Sequence, residues 1–206
     1  MNDTTDTRQQ ILEAAMERIV HYGYSKTTMS EIAKDCNMSA GNIYRFFASK
    51  LDIAEAIGRK FNSELYQTYA SICRKPNTAA DRLRQFFEFS MVRTYEALEE
   101  KDKLVELAET LADERPLFMN EQLAQERVYL VQILENGIEA GEFRSLDRKE
   151  ETAEMIQASM MKFRFPQMFS HLTLPKLKRE LAGVMDLVLA GLSVGAVVPE
   201  RQIDKF

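Results

Sequence analysis

The feature that most constrains this chain is a pair of helix starts with too little sequence between them for anything but a tight crossing. Thr28-Met29-Ser30-Glu31 has the form of a capping box, in which a hydroxyl and a carboxylate three residues apart satisfy two free backbone N–H groups. The helix it opens carries Met29, Ile32, Ala33 and Cys36 at i, i+3, i+4 and i+7, one apolar face of a 3.6-residue period. Ser39 can cap the next helix, which leaves only Cys36-Asn37-Met38 to turn the chain. A turn this short needs a residue that tolerates a left-handed backbone, and asparagine is the best choice after glycine. The sequence therefore predicts two short helices joined by an asparagine-bearing turn, the arrangement whose second helix enters the DNA major groove.

The second helix divides as that role requires. Ala40, Ile43 and Phe47 are expected to pack against Ile32 and Ala33, while Gly41, Asn42 and Arg45 face outward. Asparagine can bond the edge of adenine and arginine the edge of guanine, each through two hydrogen bonds. Gly41 would let the backbone come close to a duplex. Thr28 and Ser39 are read as caps, as DNA contacts, or as both, and Ala40 is grouped with the DNA-facing set. Tyr44 is a core aromatic or a hydroxyl donor to phosphate, and Lys50 is placed to bind phosphate. The net charge of −5 argues against a nucleic-acid partner until the chain is divided. Residues 1–60 hold 8 Lys and Arg against 8 Asp and Glu, so the deficit, 19 against 24, falls wholly in residues 61–206.

Elsewhere the chain reads as helix throughout. Thr7-Arg8-Gln9-Gln10 resembles another capping box, and the helix it opens should stop near Gly23. Ser49 is expected to cap a long fourth helix running to about Arg74. Amphipathic helices are then expected at about 78–100, 103–113, 116–140, 147–170 and 174–195. Pro166 should kink or end its helix early. The expected fold is all-α: a three-helix domain over residues 1–50 containing the helix-turn-helix, joined by the long fourth helix to a five-helix domain within residues 51–206. The longest apolar run, 187–198, is too short for a membrane span of roughly 20 residues. With two cysteines in no metal or redox spacing, a cytoplasmic protein without metal or other cofactor is expected.

The stretch from Arg8 to Ile53 resembles the DNA-binding domain of the tetracycline-repressor (TetR) family. Arg8, Ile11-Leu12 and Ala14-Ala15 fit the first helix of that family, and Gly23, Thr27-Thr28 and Ile32-Ala33 its second block. Ser39-Ala40-Gly41-Asn42-Ile43-Tyr44, then Phe47 and Ser49-Lys50, is similar to the recognition helix and the start of the helix after it. The chain departs from the pattern at Asn37, where the family usually has glycine, at Phe46, often histidine or tyrosine, and at Leu51, often acidic. The resemblance implies nine helices, a homodimer on a palindromic operator, and a small-molecule pocket in the C-terminal domain. Release of the operator by ligand, hence repression, is the family's usual mode.

Beyond residue 78 the candidates are a ligand pocket and a dimer face. Seven of the 11 methionines stand at or after Met91, and flexible thioethers suit a cavity for an apolar ligand, although core packing explains them too. Met91, Tyr95, Phe118, Met119 and Met160 are the expected walls. Leu177, Leu181, Val184, Val188 and Leu192 line one side of the last helix, with small residues among them, and are expected to meet a second subunit, although core packing within one subunit explains them too. A helical metal enzyme would need Glu-x-x-His pairs, and neither His21 nor His171 has one. No phosphate loop, nucleophile elbow or zinc motif occurs, so catalysis is not expected. The remaining alternative is a helical binding protein of the same fold that does not use DNA, which the Gly41, Asn42, Arg45 and Lys50 set disfavours.

Overall fold

The computed structural model describes residues 2–100, 103–166 and 172–196, and among these it contains ten helices and no strand. They are α1 (Asn2–Tyr22), α2 (Met29–Asp35), α3 (Ala40–Ile43), α4 (Lys50–Cys73), α5 (Ala79–Glu100), α6 (Lys103–Glu114), α7 (Pro116–Glu139), α8 (Lys149–Ser159), α9 (Met161–Arg164) and α10 (Leu174–Leu192). The expected all-α architecture is present, with one helix more than the nine expected. The start at Thr7 is overturned: no Gly or Pro interrupts residues 2–7, and Thr7 lies inside α1 rather than capping it. Gly23 ends α1 at φ 92°, with its N–H donating to Ile19 O at 2.8 Å.

The helix expected over 147–170 is divided in two. It breaks at Met160 (φ −98°, ψ 3°) and ends at Phe165 (φ −128°, ψ 61°), the residue before Pro166, where proline crowds the helical conformation. Residues 167–170, with Met168, and His171 lie outside the described residues.

The chain packs as two compact units. One comprises the chain up to Thr68 together with Arg93–Gln125; the other comprises Tyr69–Val92 and the chain from Glu126 onward. The boundary expected at residue 50 separates the helix-turn-helix from the rest, whereas these units divide α4, α5 and α7 internally. The core of the first unit joins Ile11 and Ile19 of α1, Ile32 of α2, Ile43, Ile53 of α4 and Leu107 of α6, and each is at most 5% exposed. Full burial of such side chains contributes roughly 1.5–3 kcal/mol apiece. The core therefore holds the short α2 and α3 in place, which isolated helices of this length could not do for themselves.

In the second unit the Tyr69 ring stacks on Phe86 at 4.0 Å, and Leu83 of α5 and Leu130 and Ile133 of α7 are, like this pair, fully buried. The link between α7 and α8 is fixed by backbone chemistry. Gly141 takes φ 71°, and the Glu142 carboxylate accepts the Ala79 N–H at 2.7 Å, satisfying a free donor at the start of α5.

Candidate nucleic-acid interface

The helix-turn-helix forms as its sequence chemistry requires. The Thr28 hydroxyl accepts from Glu31 N at 3.3 Å, and the Glu31 carboxylate accepts from Thr28 N at 2.9 Å. Both halves of the capping box are thus present. Asn37 is the only non-glycine residue with positive φ among the described residues, at 54°. Its turn is closed by Met38 N donating to Ala33 O at 2.9 Å. Ser39 Oγ then accepts from Asn42 N at 3.2 Å and starts α3.

Below α3, Ile43 and Phe47 are buried beside Ile32 and Ala33, as expected. Ala40 is not: it is exposed, so it belongs to the outward surface rather than the core. Gly41 and Arg45 are exposed, Asn42 is half-buried, and Tyr44 is 53% exposed. No atom lies within 4 Å of where a Cβ on Gly41 would stand, so the chain itself does not require glycine there. Arg8 of α1 braces the end of this segment, donating to Phe46 O and lying over the Phe47 ring at 4.0 Å. Arg18 ties α1 to α2 through Asp35 at 2.7 Å and Glu31 at 3.1 Å, and its hydrogen bond holds the Asp35 carboxyl below the ordinary range.

Lys50 stands differently from its expected role. Its ammonium donates to Tyr24 O at 2.7 Å and sits over the Tyr24 ring at 4.0 Å, and burial lowers its pKa. The group is engaged in holding the α1–α2 turn. Glu106 of α6, which sequence reasoning missed, grips the same turn. Its carboxylate accepts from the backbone N–H groups of Tyr24 and Ser25, both at 2.9 Å, and from the Ser25 hydroxyl. The Ser25 bonds are the main reason its carboxyl is held below the ordinary glutamate range, with the Tyr24 N–H and the Lys50 charge adding to them.

The five residues proposed as pocket walls separate. Met91 and Met160 line one pocket of the second unit, with Phe87, Met161 and Phe163. Phe118 is buried in the core of the first unit, under the Arg59 guanidinium, and Met119 packs against that core. Tyr95, half-buried on α5, donates its hydroxyl to Glu99 at 2.8 Å within the first unit. The pocket also holds polar groups that sequence reasoning missed: Ser90, Glu126, Gln157 and Arg164. The signal was available, since Glu126 falls four residues before Leu130 and seven before Ile133, on the buried stripe of α7.

The last helix needs a correction. Leu177, Leu181 and Leu192 are 0%, 4% and 3% exposed within the chain, which leaves a second chain almost none of their surface to cover. Val184 and Val188 are half-buried. The outward stripe of α10 is instead Gly183, Leu187 (76% exposed) and Ala190, continued past the helix by Val194 (67% exposed). Among the described residues no helix is long and apolar enough to cross a membrane, and no group of three candidate ligands could hold a metal ion.

Comparison with known proteins agrees with this geometry. Residues 11–57 match the pattern described as bacterial regulatory proteins, tetR family, and residues 79–185 that of the tetracyclin repressor-like C-terminal domain. The chain is 29% identical over 142 residues to the HTH-type transcriptional repressor KstR2 of Mycobacterium tuberculosis, an overlap of 66% of this chain and 69% of that one. A transcriptional regulator of Cytophaga hutchinsonii superposes with a TM-score of 0.72 at 22% identity, covering 90% of this chain and 98% of the other. FadR of Thermus thermophilus, a TetR-family repressor solved in complex with lauroyl-CoA, gives 0.67 at 21% identity over 97% and 100%. At these identities the two structures speak for the fold alone. With the second pattern alone spanning more than half of its length, the chain belongs to the TetR family of bacterial transcriptional regulators.

Proposed function

We propose that this regulator is a homodimeric, cytoplasmic repressor whose α3 reads each half of a palindromic operator and whose second unit binds a small, largely apolar ligand that lowers operator affinity. The observation that carries the DNA reading is α3 with the turn that follows it, capped by Ser39 and set by left-handed Asn37, which exposes Ala40, Gly41 and Arg45 and leaves Asn42 half-buried beside them. Arg45 and Asn42 supply base contacts, and Tyr44 supplies a phosphate contact. Thr28 and Ser39 join them at the ends of their helices, where capping leaves both residues exposed. Lys50 steadies this surface from within, and any phosphate contact it makes is secondary to its bond with Tyr24.

The exposed α10 stripe supports the dimer: a small-and-apolar face of this kind lets two helices approach closely and is costly to leave in water. The apolar walls around Met91 and Met160 support the ligand. Such a ligand acts only by binding the DNA-incompetent arrangement better, so ligand and DNA must weaken each other by the same factor, typically about 5–150-fold. The experiment is selection of bound duplexes from random DNA by the purified protein. The expected product is an inverted repeat bound by one dimer. Recovery of no preferred sequence would favour a helical binding protein that does not use DNA.

A further inference from the structure

The pocket of the second unit is not simply apolar. Phe87, Met91, Met160 and Phe163 form its walls, but Glu126, 2% exposed, stands among them. Oε1 of Glu126 accepts from Gln157 Nε2 at 3.3 Å, and Gln157 is itself held by Arg127 Nη2, also at 3.3 Å. Oε2 is buried without a hydrogen bond and has only an ion pair with Arg164 Nη2, at 3.3 Å, whose geometry falls short of one. A buried acceptor with no donor costs about as much as a lost hydrogen bond, so this atom is poised for a better partner.

We propose that the pocket selects a ligand with an apolar body and a protonated amine at one end, the ammonium binding Glu126 in place of Arg164. The inference rests on the ligand-sensing reading above and narrows it to a charge class. Two features set the direction of the exchange. Glu126 projects from the interior of the 24-residue α7, and its side chain is 3% exposed. Arg164 lies on the four-residue α9, between the break at Met160 and the stop at Pro166, with its side chain 13% exposed. The guanidinium has a long stem, is nearer to water and can rotate out while staying hydrated; the carboxylate cannot. As it stands the pocket has room for little more than a water molecule, so a ligand must displace a side chain; Arg164, which also donates to Ser90 Oγ at 3.3 Å, is the one whose departure frees Glu126 Oε2. An ammonium then meets the Oε2 acceptor in a pocket lined by the aromatic rings of Phe87 and Phe163, and aromatic faces attract cations. A ligand carboxylate would face Glu126 at close range in a low-dielectric site, where like charges repel strongly.

The test is calorimetric titration of the full-length protein with decylammonium, decanol and decanoate, which share one chain and differ at the head. Decylammonium should bind at least about tenfold more tightly than either of the others. Glu126→Gln should weaken decylammonium by about tenfold or more and leave decanol nearly unchanged. Arg164→Gln removes the competing cation and should tighten decylammonium severalfold. The two variants thus move in opposite directions, which a shared folding defect cannot mimic, and thermal melts establish that each is folded. Should Glu126→Gln fail to fold, the three-ligand series and Arg164→Gln still decide. Equal or tighter binding of decanoate, or weaker decylammonium binding by Arg164→Gln, overturns the proposal. If decanol or decanoate binds, is blocked by Met160→Trp, and outcompetes decylammonium, the amine proposal falls while ligand sensing stands. If none of the three binds, both fall.

Discussion

The turn that joins α2 to α3 and the long helix α10 both carry regular apolar spacing, yet they differ in what that spacing reveals. At the turn, periodicity comes with local chemistry: a capping box at Thr28, a left-handed Asn37 and a cap at Ser39. Each of these is a statement about backbone geometry, so together they determine the crossing of the two helices. In α10 the spacing stands alone. It groups Leu177, Leu181 and Leu192 on one face, but periodicity does not say whether that face is covered by the same chain or by another. The structure buries it internally and leaves Gly183, Leu187 and Ala190 outside. Caps and turns specify shape, whereas an apolar face specifies only that something covers it.

The two faces of α10 can be disrupted separately. Leu181→Ala should cost about 2–5 kcal/mol of stability, measured by denaturant unfolding, and leave the sedimentation coefficient at native-like concentrations unchanged. Leu187→Glu should instead yield monomers by sedimentation while the far-UV spectrum stays helical. The reverse pattern would restore the inner face as the interface.

A smaller effect probes the head. Arg45→Ala and Asn42→Ala should each lose on the order of 1–3 kcal/mol of operator binding, concentrated at particular base pairs, as measured by anisotropy on single-substituted duplexes. Loss spread evenly over all sequences would mean that α3 touches only the phosphate backbone.

Smaller still is the turn. Asn37→Ala should destabilise by about 1–2 kcal/mol, because alanine keeps the left-handed Cβ clash without the local polar contacts by which an asparagine side chain offsets it, while Asn37→Gly, which has no Cβ, should be close to neutral. Equal melting temperatures for the two variants would mean that the turn's φ does not matter.

The smallest effect is on pH dependence. The folded-state pKa of Glu106 is depressed, so its contribution is present above the ordinary glutamate value of about 4.3 and is lost as pH falls through the lower folded value. Wild type and Glu106→Gln should therefore differ in stability at neutral pH and converge on acidification. A gap that stays constant down to pH of about 3 would contradict the Ser25–Glu106 clamp.

How much was legible obeys the same division. Helix order, the stop at Pro166 and the position of α3 were legible because Gly, Pro and capping residues act within a few positions of themselves. The inner and outer sides of α10 were not, and neither were the Glu106 clamp or the partners of Glu126 in its pocket. Those depend on which residue lies opposite, 82 positions away for Glu106 and Tyr24 and 31 for Glu126 and Gln157. Lys50 shows the same limit: its place at the start of α4 was legible, but its bond to Tyr24 was a matter of tertiary packing. Phe118 and Met119 were grouped with Met91 by composition, yet the fold sends them to different units.

Hydroxyl-radical footprinting of the protein on its selected duplex shows whether a symmetric pair of α3 helices reads the operator. Two α3 helices related by a two-fold axis should protect two symmetric stretches on the same face of the DNA, centred about one helical turn or a multiple of it apart. Arg45→Ala should weaken both stretches equally. A single asymmetric stretch, or protection that Arg45→Ala and Asn42→Ala leave untouched, would contradict the account.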